Sequence, residues 1–369
     1  MAATSARHPG KRSRPVRLRR SDCSGRGLHR VRRGRGFSYA DDDRERVRDP
    51  ETLLRIKELA IPPAWEEVWI CTDPRGHLQA TGTDAAGRKQ YLYHPRWREM
   101  RDREKFDRMV EFAHALPSLR RRVLRTLRSG DGVEEKRVLA AAIRLLDVGL
   151  FRIGSEEYAG DEGGVGLATV LKQSVTVSDG ELVFDYLAKG GVRRVQAVQD
   201  PSVVKVATAL KRRRDGGEQL LAYKEGRRWH DVRSEQINDY LKGLVGDDYS
   251  AKDFRTWNAT VLAAVSLAAD GREAKSATAR KRVINGAVRG VAEILGNTPA
   301  VARRSYIDPR VFDRYLSGWT IGGEIDRVGG VRGPDDRRRA RLERAVLKLL
   351  DGDHDSAAVE RFARGAKAP

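Results

Sequence analysis

The change in hydrophobic periodicity near residue 100 is the feature that most constrains the fold of this chain. Before it lie three runs rich in β-forming residues, Glu67–Cys71, Leu78–Asp84 and Arg88–His94. The segments between them, Asp73–Gly76 and Asp84–Gly87, carry the residues that tight turns require. The pattern predicts a small antiparallel β-rich domain over residues 37–100.

Beyond residue 100 the apolar residues follow a helical period. One face of a predicted helix carries Leu139, Ile143, Leu146 and Leu150, so Arg152 lies at or near the end of that helix. Further helices are predicted over Ala251–Ala269, over Ala277–Leu295 with Gly296 as its stop, and near Arg337–Leu350.

A β-rich interlude separates these helices. Turn residues divide it into three strands, Ser174–Val177, Glu181–Ala188 and Val192–Val198, and Lys189 falls at the tip of the second hairpin. We therefore predict an α+β fold, in which the β-rich N-terminal domain precedes a mainly α-helical domain over residues 101–318. That second domain carries a three-stranded meander, and residues 319–369 form a C-terminal tail with one amphipathic helix.

Residues 1–36 contain twelve Lys or Arg, a single acid and few apolar residues. Such a segment buries too little surface to offset the entropy of ordering, so a disordered basic arm is predicted. Such an arm would bind the DNA backbone or act as a targeting signal. The alternative is that the segment only improves solubility or that the start of the sequence is wrongly assigned.

The net charge of +20 and the isoelectric point near 10.2 favour a polyanionic partner, nucleic acid before an anionic membrane. No apolar run approaches the roughly 20 residues of a membrane span, and no signal core follows the N-terminal charges. The expectation is a soluble cytoplasmic protein associated with the nucleoid and not with a membrane.

The residue pattern predicts no cofactor and no bound metal. No glycine-rich loop leads into Lys and Ser or Thr, the seven histidines are scattered, and Cys23 and Cys71 are the only cysteines. The acidic run Asp351–Asp355 resembles a calcium loop, but Ser356 and Phe362 stand where glycine and glutamate would be needed. A solvated acidic turn is predicted there.

Two patterns stand out as functional candidates. In the first, alternation along a strand places Lys89, Tyr91 and Tyr93 on one face and Gln90 on the other. Aromatic residues among basic ones suit a nucleic-acid groove, but they also occur in ordinary sheet cores. The second pattern is Leu295–Tyr306, preceded by Ala251–Trp257 and by Arg152–Tyr158.

Together these blocks resemble those of the type IB DNA topoisomerases. Ile61–Trp65 and Gly87–Tyr93 also recur in that family, and the resemblance covers about residues 37–318. It implies relaxation of supercoiled duplex DNA without ATP or metal, through single-strand cleavage, a 3′-phosphotyrosyl intermediate, strand rotation and religation.

The resemblance also assigns roles to residues. Tyr306 is the expected nucleophile, and Arg152 and Arg255 are expected to grip the non-bridging oxygens of the scissile phosphate. Planar, permanently charged guanidinium groups suit that task. Lys189 is the expected general acid for the departing 5′-oxygen. Asn297 stands where poxvirus and nuclear relatives have histidine, and can donate a hydrogen bond without carrying charge.

Several alternatives remain open on the sequence. Ala188 and Val192 stand where the family commonly has glycine and lysine, so Arg193, Arg194 or Lys172 could share the role of Lys189. Arg152 and Arg255 could instead be helix-end arginines paired with surface acids, and Tyr306 could be a core tyrosine.

By the same resemblance, the DNA contacts are Gln90, Tyr91, Tyr93, Tyr158 and Lys252. The two domains would close as a monomeric clamp around duplex DNA, joined by a flexible stretch near residues 96–108. The rivals are a tetrameric tyrosine recombinase or integrase and a non-catalytic architectural DNA binder. The β-rich N-terminal domain and Lys252, where recombinases usually have histidine, argue against the first. The full set of catalytic residue types argues against the second.

Overall fold

The computed structural model describes residues 17–154, 164–329 and 335–362. The chain divides into two compact units, Met1–Lys105 and Phe106–Pro369. The first unit is built around an antiparallel sheet and the second is mostly helical, which confirms the predicted α+β class.

The first unit contains a five-stranded antiparallel sheet in the order β2-β1-β3-β4-β5 and one short helix. Its elements are β1 (Leu28–Arg33), β2 (Gly36–Asp41), α1 (Pro50–Glu58), β3 (Glu66–Ile70), β4 (Leu78–Thr83) and β5 (Lys89–Tyr93). The last three strands agree with the predicted runs to within a residue or two. Ile56 of α1 packs against Val68, Ile70 and Ala80 and forms the centre of this small core.

The prediction of a disordered arm over residues 1–36 is wrong for residues 17–36. Strand β1 pairs along its whole length with β2, and Leu28 is buried opposite Ile70 of β3. Arg30 shows why a basic composition does not prevent folding here, because its guanidinium donates to the main-chain carbonyls of Pro62 and Trp65 and lies over the Phe37 ring. Residues 1–16 fall outside the described residues.

The prediction of a flexible connection near residues 96–108 is also wrong, because the local structure there is helical. These residues belong to α2 (Pro95–Arg128), a single helix that contains the boundary between the two units. From Phe106 onward its buried residues recur every three or four positions, at Met109, Phe112 and Leu116. That spacing gives the second unit a helix anchored along one face.

The second unit surrounds one large apolar core. Its helices are α3 (Glu135–Gly149), α4 (Pro201–Arg212), α5 (Ser234–Val245), α6 (Ala251–Asp270), α7 (Ala277–Leu295), α8 (Pro299–Ser305), α9 (Pro309–Leu316), α10 (Gly322–Arg327) and α11 (Asp336–Asp351). Its strands are β6 (Val175–Ser178), β7 (Glu181–Ala188), β8 (Val192–Val198), β9 (Ala222–Glu225), β10 (Arg228–Asp231), β11 (Trp319–Thr320) and β12 (Glu360–Arg361). Strands β6 to β8 form the predicted meander.

The C-terminal region is part of the second unit and not a tail. Leu342, Ala345 and Val346 of α11 are buried in the large core, and α11 packs on α6 and α9. Strand β12 pairs with β11 through Trp319 and Thr320. The amphipathic pattern predicted the helix correctly, but it could not predict which surface the apolar face would cover.

Two further features concern membranes and the acidic run. None of the helices in the described part of the chain has the length and apolar composition of a membrane-spanning segment. The acidic run follows α11 as a turn, in which Asp353 pairs with Lys348 at 3.0 Å. Among the described residues, no cluster of three His, Cys, Asp or Glu side chains could hold a metal ion.

A buried ion-pair network joins α2, α3 and α11. Asp147 of α3 is 2% exposed at its side chain and accepts from Arg120, Arg144 and Arg339 at 2.6–3.1 Å. Burial raises the pKa of the Asp147 carboxyl, but the three guanidinium groups together lower it by more. The net effect is a pKa below its usual range. Glu343 of α11 also binds Arg120, at 2.6 Å. The network therefore ties the C-terminal helix to the centre of the unit.

We expect Asp147→Asn to lower the free energy of unfolding at pH 7 by about 3–5 kcal/mol, because the buried Arg144 and the partly buried Arg120 and Arg339 lose a shared partner. Since folding lowers the pKa of Asp147, its contribution is complete above the ordinary value of about 3.9 and fades as the pH falls below it. Urea unfolding should show that the difference in the free energy of unfolding between variant and wild type is smaller at low pH than at pH 7. Asp185→Asn, which removes an exposed partner of Arg193, should change stability little.

Candidate active site

Arg152 follows a tightly constrained turn at the end of α3. Leu150 ends the helix in the left-handed conformation, with φ 56°. The Arg152 carbonyl accepts from Leu167 N at 2.8 Å, which fixes the main chain two residues later. Gly154 has φ 81° and lies so close to the Gly166 backbone that no side chain would fit there. The glycine of the Arg152–Gly154 motif is therefore a structural requirement.

The C-terminal end of α7 brings three arginine side chains together. Arg194 of β8 donates to the Ile294 carbonyl at 2.7 Å, Arg255 of α6 to that of Leu295 at 2.9 Å, and Arg152 to that of Gly296 at 2.9 Å. These carbonyls have no partner within the helix and form the negative end of its dipole. Gly296, with φ 61°, ends the helix and makes room for Arg194. The helix end thus gathers three guanidinium groups from distant parts of the chain.

Arg255 joins this cluster to Tyr306. Its guanidinium lies 5.2 Å from the centroid of the Tyr306 ring. Besides its bond to Leu295, Arg255 donates a second hydrogen bond to the Leu150 carbonyl. Arg255 is 4% exposed. Burial, together with the nearby charge of Arg152, lowers its pKa to about 10 against the opposing effect of Tyr306. An anion placed beside these groups would stabilise their charged forms.

The main chain around Tyr306 is fixed from α6 and α8. Thr298 caps α8 by accepting from Val301 N, and Tyr306 directly follows the helix. Thr260 Oγ1 of α6 accepts from Asp308 N at 3.1 Å and lies 3.4 Å from the Tyr306 carbonyl oxygen. Because Thr260 and Arg255 belong to one helix, α6 positions both the backbone and the ring of Tyr306, whose side chain is half-buried.

Asn297 lies between the arginine cluster and α8. Its Oδ1 accepts a hydrogen bond from Arg152, while its Nδ2 is buried with no partner among the described residues. Arg255 Nε is likewise buried and unpaired within the described part of the chain. Buried donors without acceptors are costly and uncommon in proteins. These two N–H groups are therefore available to donate hydrogen bonds to a bound ligand.

The described part of the chain places no acid in an ion pair with this cluster. Within residues 17–154, 164–329 and 335–362, neither Arg152, Arg194 nor Arg255 forms an ion pair with a carboxylate. The buried Arg120 and Arg144, by contrast, are each paired with two or more. The described contacts therefore do not support the reading of Arg152 and Arg255 as helix-end arginines paired with surface acids.

The remaining predicted residues of the second unit are less closely joined to the cluster. Lys189 is exposed at the tip of the β7–β8 hairpin, and its ammonium group has no hydrogen bond or ion pair to any residue that the structure describes. Lys252 is exposed in the first turn of α6, one turn before Arg255. Tyr158, a predicted DNA contact, lies outside the described residues.

The predicted DNA contacts of the first unit lie on β5. Tyr91 and Tyr93 share one face, with ring centroids 6.2 Å apart, and Lys89 Nζ lies 6.0 Å from the Tyr91 centroid. Tyr91 is 46% exposed, so it is a surface residue and not part of a sheet core. Gln90 is half-buried and donates to Asp84 Oδ2 at 2.8 Å.

Tyr186 was not among the residues predicted from the sequence, and Arg194 was predicted only as an alternative to Lys189. Tyr186 and Arg194 face each other across β7 and β8. Burial raises the pKa of Tyr186, which is 7% exposed. The available signal was the alternation along β7, since Leu182, Phe184 and Tyr186 are all buried. It places Tyr186 and its cross-strand partner on the inner face.

Known proteins resemble this chain over both units. The family described as the catalytic core of eukaryotic DNA topoisomerase I matches residues 94–316, which is more than half of the chain. The N-terminal domain of bacterial DNA topoisomerase IB matches residues 36–84.

Individual relatives agree with these families. DNA topoisomerase 1B of Acanthamoeba polyphaga mimivirus is 28% identical over 295 residues, covering 76% of this chain and 85% of the viral protein. DNA topoisomerase 1 of Candidozyma auris is 29% identical over 133 residues, 35% of this chain and 17% of the yeast protein. DNA topoisomerase 1 of Candida albicans is 28% identical over 162 residues, which cover 43% of this chain and 19% of the yeast protein. The chain therefore belongs to the type IB DNA topoisomerase family.

Proposed function

We propose that this enzyme relaxes supercoiled duplex DNA by cutting one strand through Tyr306, allowing the duplex to rotate, and resealing the cut. The observation that carries the proposal is the Tyr306 ring 5.2 Å from the Arg255 guanidinium, within a cluster of arginines that has no carboxylate partner among the described residues. Such a cluster suits a phosphodiester, whose negative charge is concentrated on its non-bridging oxygens.

In this mechanism the Tyr306 hydroxyl gives up its proton to solvent, its oxygen attacks the phosphorus, and the bond to the 5′-oxygen breaks. The free phenol, with a pKa of about 10, is a weak nucleophile, so the cations must stabilise the charge that develops on the pentacoordinate phosphate. Arg152 and Arg255 would bind the non-bridging oxygens, and Asn297 would add a hydrogen bond through its unpaired Nδ2. Lys189 would give the departing 5′-oxygen its proton.

The product is a 3′-phosphotyrosyl ester and a free 5′-hydroxyl. One ester replaces another, so religation by the reverse attack needs no ATP. The residues assigned to each step are side chains of this chain alone, and the proposal accordingly includes neither a nucleotide nor a metal ion.

We further propose that a single molecule acts on duplex DNA at the nucleoid. Contacts from Lys252 and Tyr158 in the second unit, and from Gln90, Tyr91 and Tyr93 in the first, would mostly touch the sugar-phosphate backbone. Such contacts position a duplex without reading its sequence. The exposed Tyr91 beside Lys89 supports this role for β5.

The direct test is relaxation of negatively supercoiled plasmid in EDTA and without ATP, followed by a denaturing gel on end-labelled duplex. We expect full relaxation, together with protein covalently attached to a DNA 3′ end. Activity that depends on added ATP or Mg²⁺ would contradict the mechanism. A covalent adduct without relaxation would instead indicate a strand-exchange enzyme, and DNA binding with neither product would indicate an architectural protein.

A further inference from the structure

The last turn of α3 is held by side chains from two other helices. The Asp147 carbonyl accepts from Asn258 Nδ2 of α6 at 3.0 Å and from Arg339 of α11 at 2.9 Å. Arg339 donates in addition to Asp147 Oδ1 at 2.6 Å and to Asn258 Oδ1 at 3.0 Å. The three residues thus form a closed set of hydrogen bonds at a helix end, where carbonyls lack partners of their own.

On both α6 and α3, these residues lie close in sequence to members of the arginine cluster or to the carbonyls that they bind. On α6, Asn258 follows Arg255 by three residues, so the two side chains lie on neighbouring parts of one helix face. On α3, Asp147 precedes by three residues Leu150, whose carbonyl accepts from Arg255. Leu150 holds a left-handed conformation that is unfavourable for its residue type and persists only where its surroundings impose it.

Arg339 itself is suited to holding this turn and not to binding DNA. Its side chain is 23% exposed, and its charge is taken up by Asp147 and by Glu343 one turn along α11. Helix α11 lies beyond residues 94–316, the part that matches the catalytic core of eukaryotic DNA topoisomerase I.

We propose that Arg339 is a positioning residue for strand cleavage, a role that rests on the proposed function. By holding the Asp147 carbonyl together with Asn258, it fixes the turn that delivers Arg152 and presents the Leu150 carbonyl to Arg255. Helix α11 thereby helps to position the catalytic residues, although none of its own residues contacts the phosphate.

The test is single-turnover cleavage of an end-labelled duplex by the full chain, measured beside the dissociation constant for DNA and the thermal unfolding midpoint. Arg339→Ala is expected to lower the cleavage rate constant by about 100-fold, the usual effect of misplacing catalytic groups by about 1 Å. DNA affinity should be unchanged. Asn258→Ala should slow cleavage in the same direction, and Arg339→Lys should lose less than Arg339→Ala.

Arg344→Ala is the matched control, because Arg344 is exposed on α11 and its side chain has no hydrogen bond or ion pair to the described residues. It should cleave like wild type. Loss of folded protein alone lowers the amplitude of the reaction and not its rate constant. If Arg339→Ala keeps the wild-type rate constant, Arg339 is only structural and the proposal is overturned.

Weaker DNA binding in proportion to the slower cleavage would also overturn the proposal, since it would make Arg339 a DNA contact. Should Arg339→Ala fail to fold, Arg339→Lys and Asn258→Ala carry the same comparison. A wild-type chain that forms no adduct would defeat the proposed function as well. An active wild type with an unaffected Arg339→Ala would defeat only the positioning role.

Discussion

Tyr306→Phe is expected to abolish both plasmid relaxation and the covalent protein–DNA adduct, while folding and DNA affinity are retained. Phenylalanine preserves the half-buried ring that packs on the core and lies beside Arg255. Only the hydroxyl is lost, and no other group of that side chain can form the phosphotyrosyl ester. The measurement is the adduct on a denaturing gel, beside a filter-binding titration of the same duplex.

Tyr186→Phe is the matched control, because Tyr186 lies near the same arginines but is almost fully buried. Burial raises the pKa of its hydroxyl, which disfavours the reactive phenolate, and its place opposite Arg194 on the neighbouring strand gives it a structural role. This variant should still form the adduct. An adduct that survives in Tyr306→Phe and disappears in Tyr186→Phe would transfer the nucleophile assignment to Tyr186.

Local sequence was sufficient for most of the elements that carry these residues. Helix α7 and the stop at Gly296 follow from a stripe of apolar residues and one glycine, and the β7–β8 hairpin follows from its turn residues. The N-terminal strand β1 was missed because a composition argument averages over residues. A strand needs only a few buried positions, and its arginines can find carbonyl acceptors, as Arg30 does.

The geometry of the site depended on contacts that no local pattern encodes. That Arg152, Arg194 and Arg255 all donate to the end of α7 follows from tertiary packing. The same holds for Arg339, which lies 192 positions after Asp147 and yet bonds to its carbonyl. Periodicity assigns a residue to a face of its own helix, whereas these contacts also require knowing which helix lies opposite.

Lys189→Ala is expected to slow strand cleavage by about 100- to 10,000-fold, the usual contribution of a general acid. The lysine stands at a hairpin tip where Gly190 and Gly191 adopt φ 80° and 70°. Its exposed ammonium group, with no partner among the described residues, could reach the 5′-oxygen of a bound strand. An ammonium group can also lose its proton, which a guanidinium does not.

A substrate with sulfur in place of the bridging 5′-oxygen separates proton transfer from positioning. Thiols have a pKa of about 8.5, so a thiolate leaves without being protonated. We expect this substrate to restore cleavage by Lys189→Ala to nearly the wild-type rate constant. It should not rescue Arg255→Ala, whose defect would lie in stabilising the phosphate.

The alternatives to Lys189 are already engaged. Arg193 pairs with Asp185 at 2.6 Å, Arg194 bonds to the end of α7, and Lys172 Nζ lies 3.6 Å from Glu218. A defect rescued by sulfur in Lys172→Ala and absent from Lys189→Ala would move the general acid to Lys172. A defect in Lys189→Ala that sulfur does not relieve would leave Lys189 as a phosphate contact, because only a missing proton donor is made unnecessary by a better leaving group.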